Sequence, residues 1–186
     1  MPVSTNEFKT GLTIEMDGQV YQIINYEHHK PGKGHAVVRT KLRDVKSGNV
    51  YDKTFRAGEK VETAHVTRKQ MQYLYTDGSG YFFMDNESYD QMEISGDQVG
   101  TQHIWLKEGE DVDITMHEEE LLGVEVKQTV ERRVDKTDPG VRGDTATGGT
   151  KPAVLEGGAT ITVPLFVSEG DVLKVDTRNS NYITRV

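Results

Sequence analysis

The chain has 186 residues, of which 34% are hydrophobic and 28% charged, so a single large apolar core is not expected. It contains no cysteine, which excludes disulfides, thiolate metal sites and cysteine nucleophiles. The first residues show neither the basic nor the apolar stretch of a secretion signal, and no apolar run is long enough to span a membrane. We therefore expect a soluble, cytoplasmic protein without a membrane partner, built from several small modules.

The formal net charge of −8 is unevenly distributed along the chain. Residues 1–64 hold 10 Lys and Arg against 8 Asp and Glu, residues 65–127 hold 4 against 14, and residues 128–186 hold 8 against 8. The middle third alone makes the protein acidic, so the outer thirds could still meet phosphate. An acidic solubilising face is the simpler explanation of the middle third.

The first third of the sequence predicts a meander of short strands. A strand over residues 19–26 follows the hairpin turn signal Met16-Asp17-Gly18, and a second over residues 35–44 follows a Pro-Gly-Lys-Gly turn. A third strand is predicted over residues 50–56. A spacing near ten residues is typical of a small barrel.

The rest of the chain continues this pattern. Strands over residues 71–75 and 81–84 flank a glycine-containing turn and predict a hairpin, followed by strands over 89–94, 112–116 and 121–130, although Glu118 to Glu120 could also begin a helix. Further strands are predicted over residues 153–155, 160–163, 172–175 and 182–184. With no long helical period, the sequence predicts an all-β fold in three domains, 1–64, 65–127 and 128–186.

The stretch from Lys30 to Gly34 is the most informative segment. Pro31 and two glycines, Gly32 and Gly34, surround Lys33 and predict a tight exposed turn from which the lysine projects freely. A compact ammonium on a flexible stem can reach into a narrow pocket, and lysine is a common target of modification.

Other interpretations of Lys33 fit the residues less well. A phosphate-binding loop needs a different glycine spacing and a following Ser or Thr, and a Schiff-base lysine needs a desolvated pocket. A plain hairpin turn is the usual case and stays open. Three nearby histidines, His28, His29 and His35, suggest a metal, but adjacent His28 and His29 point to opposite faces of a strand.

The strand after the turn carries Arg39, Lys41 and Arg43 at alternate positions. Alternate residues share one face of a strand, so these cations are expected opposite Val38 and Leu42. Such a basic row can follow a phosphate backbone, but from the residues alone a solvated outer face is favoured over RNA contact, because charge runs on outer faces are common.

No motif for catalysis is present. The sequence contains no Gly-x-Ser-x-Gly, no His-Glu-x-x-His and no dinucleotide fingerprint. We therefore expect no enzyme and no cofactor. Two alternatives stay open: a general single-strand-binding OB protein, disfavoured because the aromatic run of residues 73–83 lies in the acidic third, and a lysine-dependent enzyme.

The sequence resembles the elongation factor P family along its whole length. The resemblance is carried by the following segments: Gly11-Leu12-Thr13-Ile14, Pro31-Gly32-Lys33-Gly34, Tyr73-Leu74-Tyr75, Asp77-Gly78, Phe83-Met84, Lys151-Pro152-Ala153, Gly158, Ile161, Val163-Pro164, Val167, Gly170, Val175-Asp176-Thr177-Arg178, Tyr182 and Arg185. The third-domain segments are the most specific part of this match. The resemblance implies an SH3-like (KOW-type) N-terminal barrel followed by two OB-fold barrels, in an L-shaped outline like that of tRNA.

The resemblance also implies a function. Members bind the ribosome beside peptidyl-tRNA, stimulate peptide-bond formation and relieve stalling at consecutive prolines. By match, Lys33 is the tip residue, which many members carry in a covalently modified form, so lysine-modifying enzymes are implied partners. The implied tRNA contacts are Lys30, Pro31, Gly32, Lys33, Gly34, Arg39, Lys41 and Arg43. Gly143, Asp144 and Thr145 match the loop that meets messenger RNA near the exit-site codon. A monomer is expected.

Overall fold

A computed structural model describes residues 1–140 and 149–186 of the chain. The predicted messenger-RNA contacts Gly143, Asp144 and Thr145 lie outside the described residues. The chain divides into two compact units, one formed by Met1–Arg68 with Ile114–Gly123 and the other by Lys69–Asp113 with Val124–Val186. The three-domain boundaries at residues 64 and 127 stay a prediction.

Strands dominate the described part of the chain. The strands are β1 (Pro2–Ser4), β2 (Thr13–Met16), β3 (Gln19–His29), β4 (Val37–Asp44), β5 (Val50–Arg56), β6 (Lys60–Thr63), β7 (Val66–Thr76), β8 (Gly80–Asp85), β9 (Gln91–Ser95), β10 (Asp111–His117), β11 (Glu120–Glu125), β12 (Thr129–Thr137), β13 (Thr150–Leu155), β14 (Thr160–Pro164), β15 (Val172–Asp176) and β16 (Asn181–Arg185). Short helical turns occur at Thr5–Glu7, Gly96–Val99 (α1) and Gly100–Trp105. No helix among the described residues is long and apolar enough to cross a membrane.

Most predicted strands are confirmed with different end residues, and one was wrong because it spans two strands. The strand predicted over residues 121–130 is two strands, β11 and β12. The residues that connect the two strands form hydrogen bonds with other parts of the chain. Val126 donates its N–H to the Gln102 side chain, and the carbonyl oxygen of Gln128 accepts from the N–H of Thr177. Glu118 has a φ of 55° and lies in a turn rather than at a helix start. The short strands β1, β2 and β6 were not predicted.

The first unit contains a six-stranded sheet in the order β1-β6-β2-β3-β4-β5. Met16 pairs with Gln19, so Asp17 and Gly18 form a two-residue loop in which both φ angles are positive, 51° and 75°. That combination is the turn that matches the twist of antiparallel strands. The core of this sheet contains Phe8, Ile14, Ile23, Val38, Leu42, Phe55 and Val61.

Residues 114–123 attach to the first unit partly through His117. Its Nδ1 lies 3.0 Å from the carbonyl oxygen of His65, and its Nε2 lies 3.6 Å from a carboxylate oxygen of Glu15. The hydrogen bond to His65, with the carboxylates of Glu118 and Glu15, raises the pKa of His117 above its ordinary value against the opposing effect of burial.

The remaining strands form two further sheets. One has five strands in the order β11-β10-β7-β8-β9, and the other is a closed barrel in the order β12-β13-β14-β16-β15. The barrel core contains Trp105, Val130, Val134, Ala153, Leu155, Ala159, Ile161, Val163, Val167, Leu173 and Val175. Trp105 precedes β12 by more than twenty residues, so the second unit has a core shared between distant parts of the chain.

Arg132 forms an ion pair in the second unit in which the guanidinium is buried. Its side chain is 1% exposed and makes two hydrogen bonds to the Glu110 carboxylate, at 3.0 and 2.6 Å. It also donates to the carbonyl oxygens of Trp105 and Glu131, at 2.5 and 2.7 Å. A buried guanidinium is tolerated only when it is paired and hydrogen-bonded, so Glu110 and Trp105 fix β12 against the preceding part of the chain.

We expect Glu110→Ala to lower the free energy of unfolding by about 3–5 kcal/mol, because it leaves the buried Arg132 guanidinium without its anion. Arg132→Met should cost less, since it removes the buried charge and fills the space. It leaves two carbonyl groups and the Glu110 carboxylate unpaired, and that carboxylate is partly exposed to water. Urea unfolding followed by far-ultraviolet circular dichroism, which reports on the strands of both units, measures both changes.

Glu120→Ala is the matched control, because Glu120 pairs with Lys46 at 3.1 Å on the surface, where both side chains are more than half exposed. An exposed pair contributes at most about 1 kcal/mol. Equal losses for Glu110→Ala and Glu120→Ala would contradict the assigned importance of the buried pair.

Candidate nucleic-acid interface

The predicted lysine turn is the loop of the β3–β4 hairpin. His29 and Val37 form the last pair of the two strands, so residues 30–36 extend beyond the sheet. The base of the loop is attached to the neighbouring chain, because Ala36 accepts a hydrogen bond of 2.9 Å from the N–H of Ala57. The loop is therefore anchored at its base by a paired hairpin.

Lys33 lies at the tip of this loop and is exposed. Among the described residues, none forms an ion pair or hydrogen bond with the Lys33 side chain. This environment is the opposite of the desolvated pocket that a Schiff-base lysine needs. It suits a group that reaches a partner or is modified by one.

The two glycines beside Lys33 differ in their backbone requirements. Gly34 has a φ of 111°, which side chains rarely adopt, and the position of an added Cβ would lie 3.8 Å from Pro31 Cγ. An added Cβ at Gly32 would meet nothing within 4 Å. The loop shape thus depends on Gly34, whereas Gly32 has free space around it.

A β-bulge in β3 decides which side chains lie beside the basic row. Ile23 pairs with Leu42 and Asn25 pairs with Lys41, so Ile24 is the extra residue. Without the bulge, the period of two would turn Asn25 and the residues after it to the opposite face. The bulge places Ile23 in the core and Asn25 outside.

The predicted alternation along β4 is confirmed. Arg39, Lys41 and Arg43 are exposed, whereas Val38 and Leu42 are buried in the core of the first sheet. The outward face continues onto the neighbouring strands in two cross-strand rows. One row is Asn25, Lys41 and Asp52; the other is Glu27, Arg39 and Thr54.

These six side chains line a depression of about 240 Å³, together with Thr40 and Lys53. Its charges alternate in sign, since Arg39 lies opposite Glu27 and Lys41 lies opposite Asp52. Within the described part of the chain, none of these four groups is close enough to another charge to form an ion pair. The cations are thus available to an anionic partner.

Sequence reasoning found the cations of this depression but not its other members. Asn25, Glu27, Asp52 and Thr54 were not identified as site residues. The period of two along β5 could have placed Asp52 and Thr54 on one face. The side of β3 that Asn25 and Glu27 occupy depends on the bulge, which the sequence pattern does not reveal.

The histidines near the loop do not form a metal site in the described part of the chain. No group of three or more His, Asp or Glu side chains able to hold a metal ion occurs there. His28 instead contacts the Tyr26 ring edge-on, with 5.7 Å between the ring centres. Packing on an aromatic neighbour explains this residue without a ligand.

Comparison with known proteins gives three family models in chain order. An elongation factor P KOW-like domain matches residues 4–61, an elongation factor P OB domain matches residues 66–124, and an elongation factor P C-terminal domain matches residues 130–185. Elongation factor P from Natranaerobius thermophilus is 53% identical over 184 residues, which cover 99% of this chain and 98% of that protein.

Solved structures of more distant proteins share the fold. A eukaryotic translation initiation factor 5A from Methanococcus jannaschii superposes with a TM-score of 0.52 at 22% identity, covering 68% of this chain and 92% of the other. A translation initiation factor 5A family protein from Naegleria fowleri gives a TM-score of 0.51 at 15% identity, covering 68% and 98%.

The three matched domains define a translation factor built from a KOW-like domain and OB domains. With 53% identity over nearly its full length to a curated member, the chain belongs to the elongation factor P family. The predicted all-β fold class is confirmed by these matches. The family is one of non-enzymatic translation factors, which implies interaction with the ribosome and tRNA.

We expect Gly34→Ala to disturb the Lys33 loop, because alanine at a φ of 111° is strained by about 1–3 kcal/mol. Backbone amide shifts of residues 30–36 should change, and the free energy of unfolding should fall or the loop should adopt another shape. Gly32→Ala is the matched control and should leave the loop nearly unchanged, since an added Cβ there meets nothing. Equal shift changes in both variants would contradict the assigned importance of Gly34.

Proposed function

We propose that this protein binds the ribosome next to peptidyl-tRNA and stimulates peptide-bond formation at consecutive prolines. The observation that carries the proposal is the exposed, unpaired Lys33 at the tip of the β3–β4 hairpin in a member of the elongation factor P family. The ribosome performs the chemistry, and the protein positions a reactant.

Proline explains why positioning is needed. Its ring fixes φ and restricts the preceding residue, so a peptide ending in prolines is poorly placed for attack. Holding reacting groups in an aligned geometry can lower a barrier by up to about 7–11 kcal/mol in ideal cases. Lys33 would hold the acceptor end of peptidyl-prolyl-tRNA, and only part of that energy would be required.

The proposed tRNA contacts are the loop and the basic row. The loop contributes Lys30, Pro31, Gly32, Lys33 and Gly34; the row contributes Arg39, Lys41 and Arg43. Contacts of such cations to phosphate fix position without selecting a sequence. Gly143, Asp144 and Thr145 are proposed to meet messenger RNA near the exit-site codon.

Other parts of the proposal follow from the same function. Translation takes place in the cytoplasm, where we place the protein, and a single copy is enough to occupy one ribosomal site. Lys33 is exposed to lysine-modifying enzymes, and no cofactor is proposed. The two domain boundaries at residues 64 and 127 are proposed as well, supported by family matches over 4–61, 66–124 and 130–185.

We expect Lys33→Ala to reduce the stimulation of synthesis of a peptide with three consecutive prolines by about 10-fold or more, which corresponds to about 1.4 kcal/mol of lost stabilisation. Reconstituted translation with protein purified from its own host measures this rate, because any modification of Lys33 is then present.

Lys9→Ala is the control, since Lys9 is an exposed lysine outside the loop and the basic row. Full stimulation by Lys33→Ala would show that Lys33 is not required, although the protein would still be the active factor. An absence of stimulation by the unaltered protein would reject the proposed function itself.

We expect the double variant Arg39→Gln/Lys41→Gln to bind ribosomes more weakly and with a smaller dependence on salt. Each lost phosphate contact should reduce the slope of log affinity against log salt by about 1. Binding measured over a range of salt concentrations gives this slope.

The matched control is Lys60→Gln on β6, which is separated from β4 by two strands in the sheet. It should leave the slope unchanged. If the double variant shows the same dependence of log affinity on log salt as the unaltered protein, Arg39 and Lys41 do not contact phosphate.

A further inference from the structure

The depression on the outer face of β3, β4 and β5 contains two kinds of groups. Arg39 and Lys41 are cations suited to phosphate, whereas Glu27 and Asp52 are carboxylates that repel it. A surface optimised only for phosphate affinity would lack these carboxylates. Their position directly opposite the cations therefore needs an explanation beyond phosphate binding.

Mutual neutralisation of the four charges is the simplest explanation, but the geometry argues against it. Opposite charges directly across strands commonly pair, yet neither the Glu27–Arg39 nor the Lys41–Asp52 pair comes within ion-pair distance in the described part of the chain. Both cations and both carboxylates line one open depression, where each can still form an ion pair or hydrogen bonds with a ligand. A ligand carrying both an anion and hydrogen-bond donors would satisfy them together.

The ribose–phosphate unit of RNA is such a ligand. Its phosphate is an anion, and its 2′-hydroxyl is a donor that DNA lacks. An ionised carboxylate only accepts hydrogen bonds, so it matches a hydroxyl and cannot serve a phosphate. Asn25 and Thr54, at the ends of the two rows, can donate or accept.

We propose that this depression binds ribose–phosphate units of RNA, with Arg39 and Lys41 on phosphate and Glu27 and Asp52 accepting hydrogen bonds from ribose 2′-hydroxyls. The inference rests on the proposed contact of the basic row with tRNA and adds to it a discrimination of RNA from DNA. The volume of about 240 Å³ suits a unit of this size rather than a drug-sized molecule.

The negative charges of the carboxylates lower the affinity for any polyanion. Only a polyanion whose hydroxyls donate hydrogen bonds to these carboxylates regains the lost affinity. Glu27 and Asp52 thus act as specificity-determining residues. Both carboxylates are exposed in the free protein and would be covered by a bound nucleic acid. A covered carboxylate that finds no hydroxyl donor disfavours the wrong ligand. Random anions and DNA would be rejected, while the RNA backbone would be retained.

The test is an NMR titration of the full chain with a short RNA hairpin and with an all-2′-deoxy hairpin of the same sequence, at low salt. Amide signals of β3, β4 and β5 report binding at this face. We expect the RNA hairpin to bind about 10-fold more tightly than its deoxy counterpart, the effect of one hydrogen bond to a charged group.

Glu27→Ala and Asp52→Ala separate hydroxyl recognition from simple repulsion. In these variants the deoxy hairpin should bind more tightly, because a repelling charge is lost, while RNA should gain nothing, so the ratio falls toward 1. Glu62→Ala is the control, because it removes an equal charge from an exposed position on β6. It should leave the ratio unchanged.

Two results would overturn the inference. One is a parallel rise of both affinities in Glu27→Ala and Asp52→Ala, which would make the carboxylates mere repelling charges. The other is the absence of shift changes in β3, β4 and β5 with either hairpin. Stimulation of triple-proline synthesis is measured on the same proteins. If the unaltered protein stimulates this synthesis, the proposed function stands even when the inference about ribose fails. If it does not, the proposed function is rejected independently of the hairpin titrations.

Discussion

The pairing register of β3, β4 and β5 is the constraint on which the first unit depends. It places Val38 and Leu42 of β4 in the core and turns Arg39 and Lys41 outward. It also sets the last pair of the hairpin and thereby the start of the Lys33 loop. A slip by one residue would bury the cations and expose the core, so core stability and the proposed interface are held by the same hydrogen bonds.

The two units build their cores from few apolar residues in different ways. The first builds a small core around aromatic and aliphatic side chains such as Phe8 and Phe55, whose rings meet edge-on at 5.4 Å. The second includes Trp105 in its barrel core and adds the buried pair of Arg132 with Glu110. Most polar atoms taken inside are paired, as their desolvation requires, although Arg132 Nε is buried without a hydrogen-bond partner. Thr40 follows this rule in the first unit, donating to the carbonyl oxygen of Lys53 at 2.8 Å.

Much of the fold could be predicted because turns and alternation are local. The Asp17-Gly18 turn, the β7–β8 hairpin and the outward face of β4 follow from residue types at fixed spacing. The short strands β1 and β6 could not, because they pair across some sixty residues and have too few residues for a pattern. The division between β11 and β12 depends on Gln102 and Thr177, which lie far away in sequence.

The sequence by itself determined the all-β class and the family, which rest on local patterns repeated along the whole chain. It also determined the exposed Lys33 turn and the basic row, which rest on residues close together in the chain. Only the tertiary structure decided that Glu27 and Asp52 lie opposite Arg39 and Lys41, and that Arg132 is buried against Glu110 and Trp105. The bulge at Ile24 is the physical reason for the placement of Glu27: an extra residue reverses the inward and outward order of a strand, and its position is fixed by the packing of the partner strands.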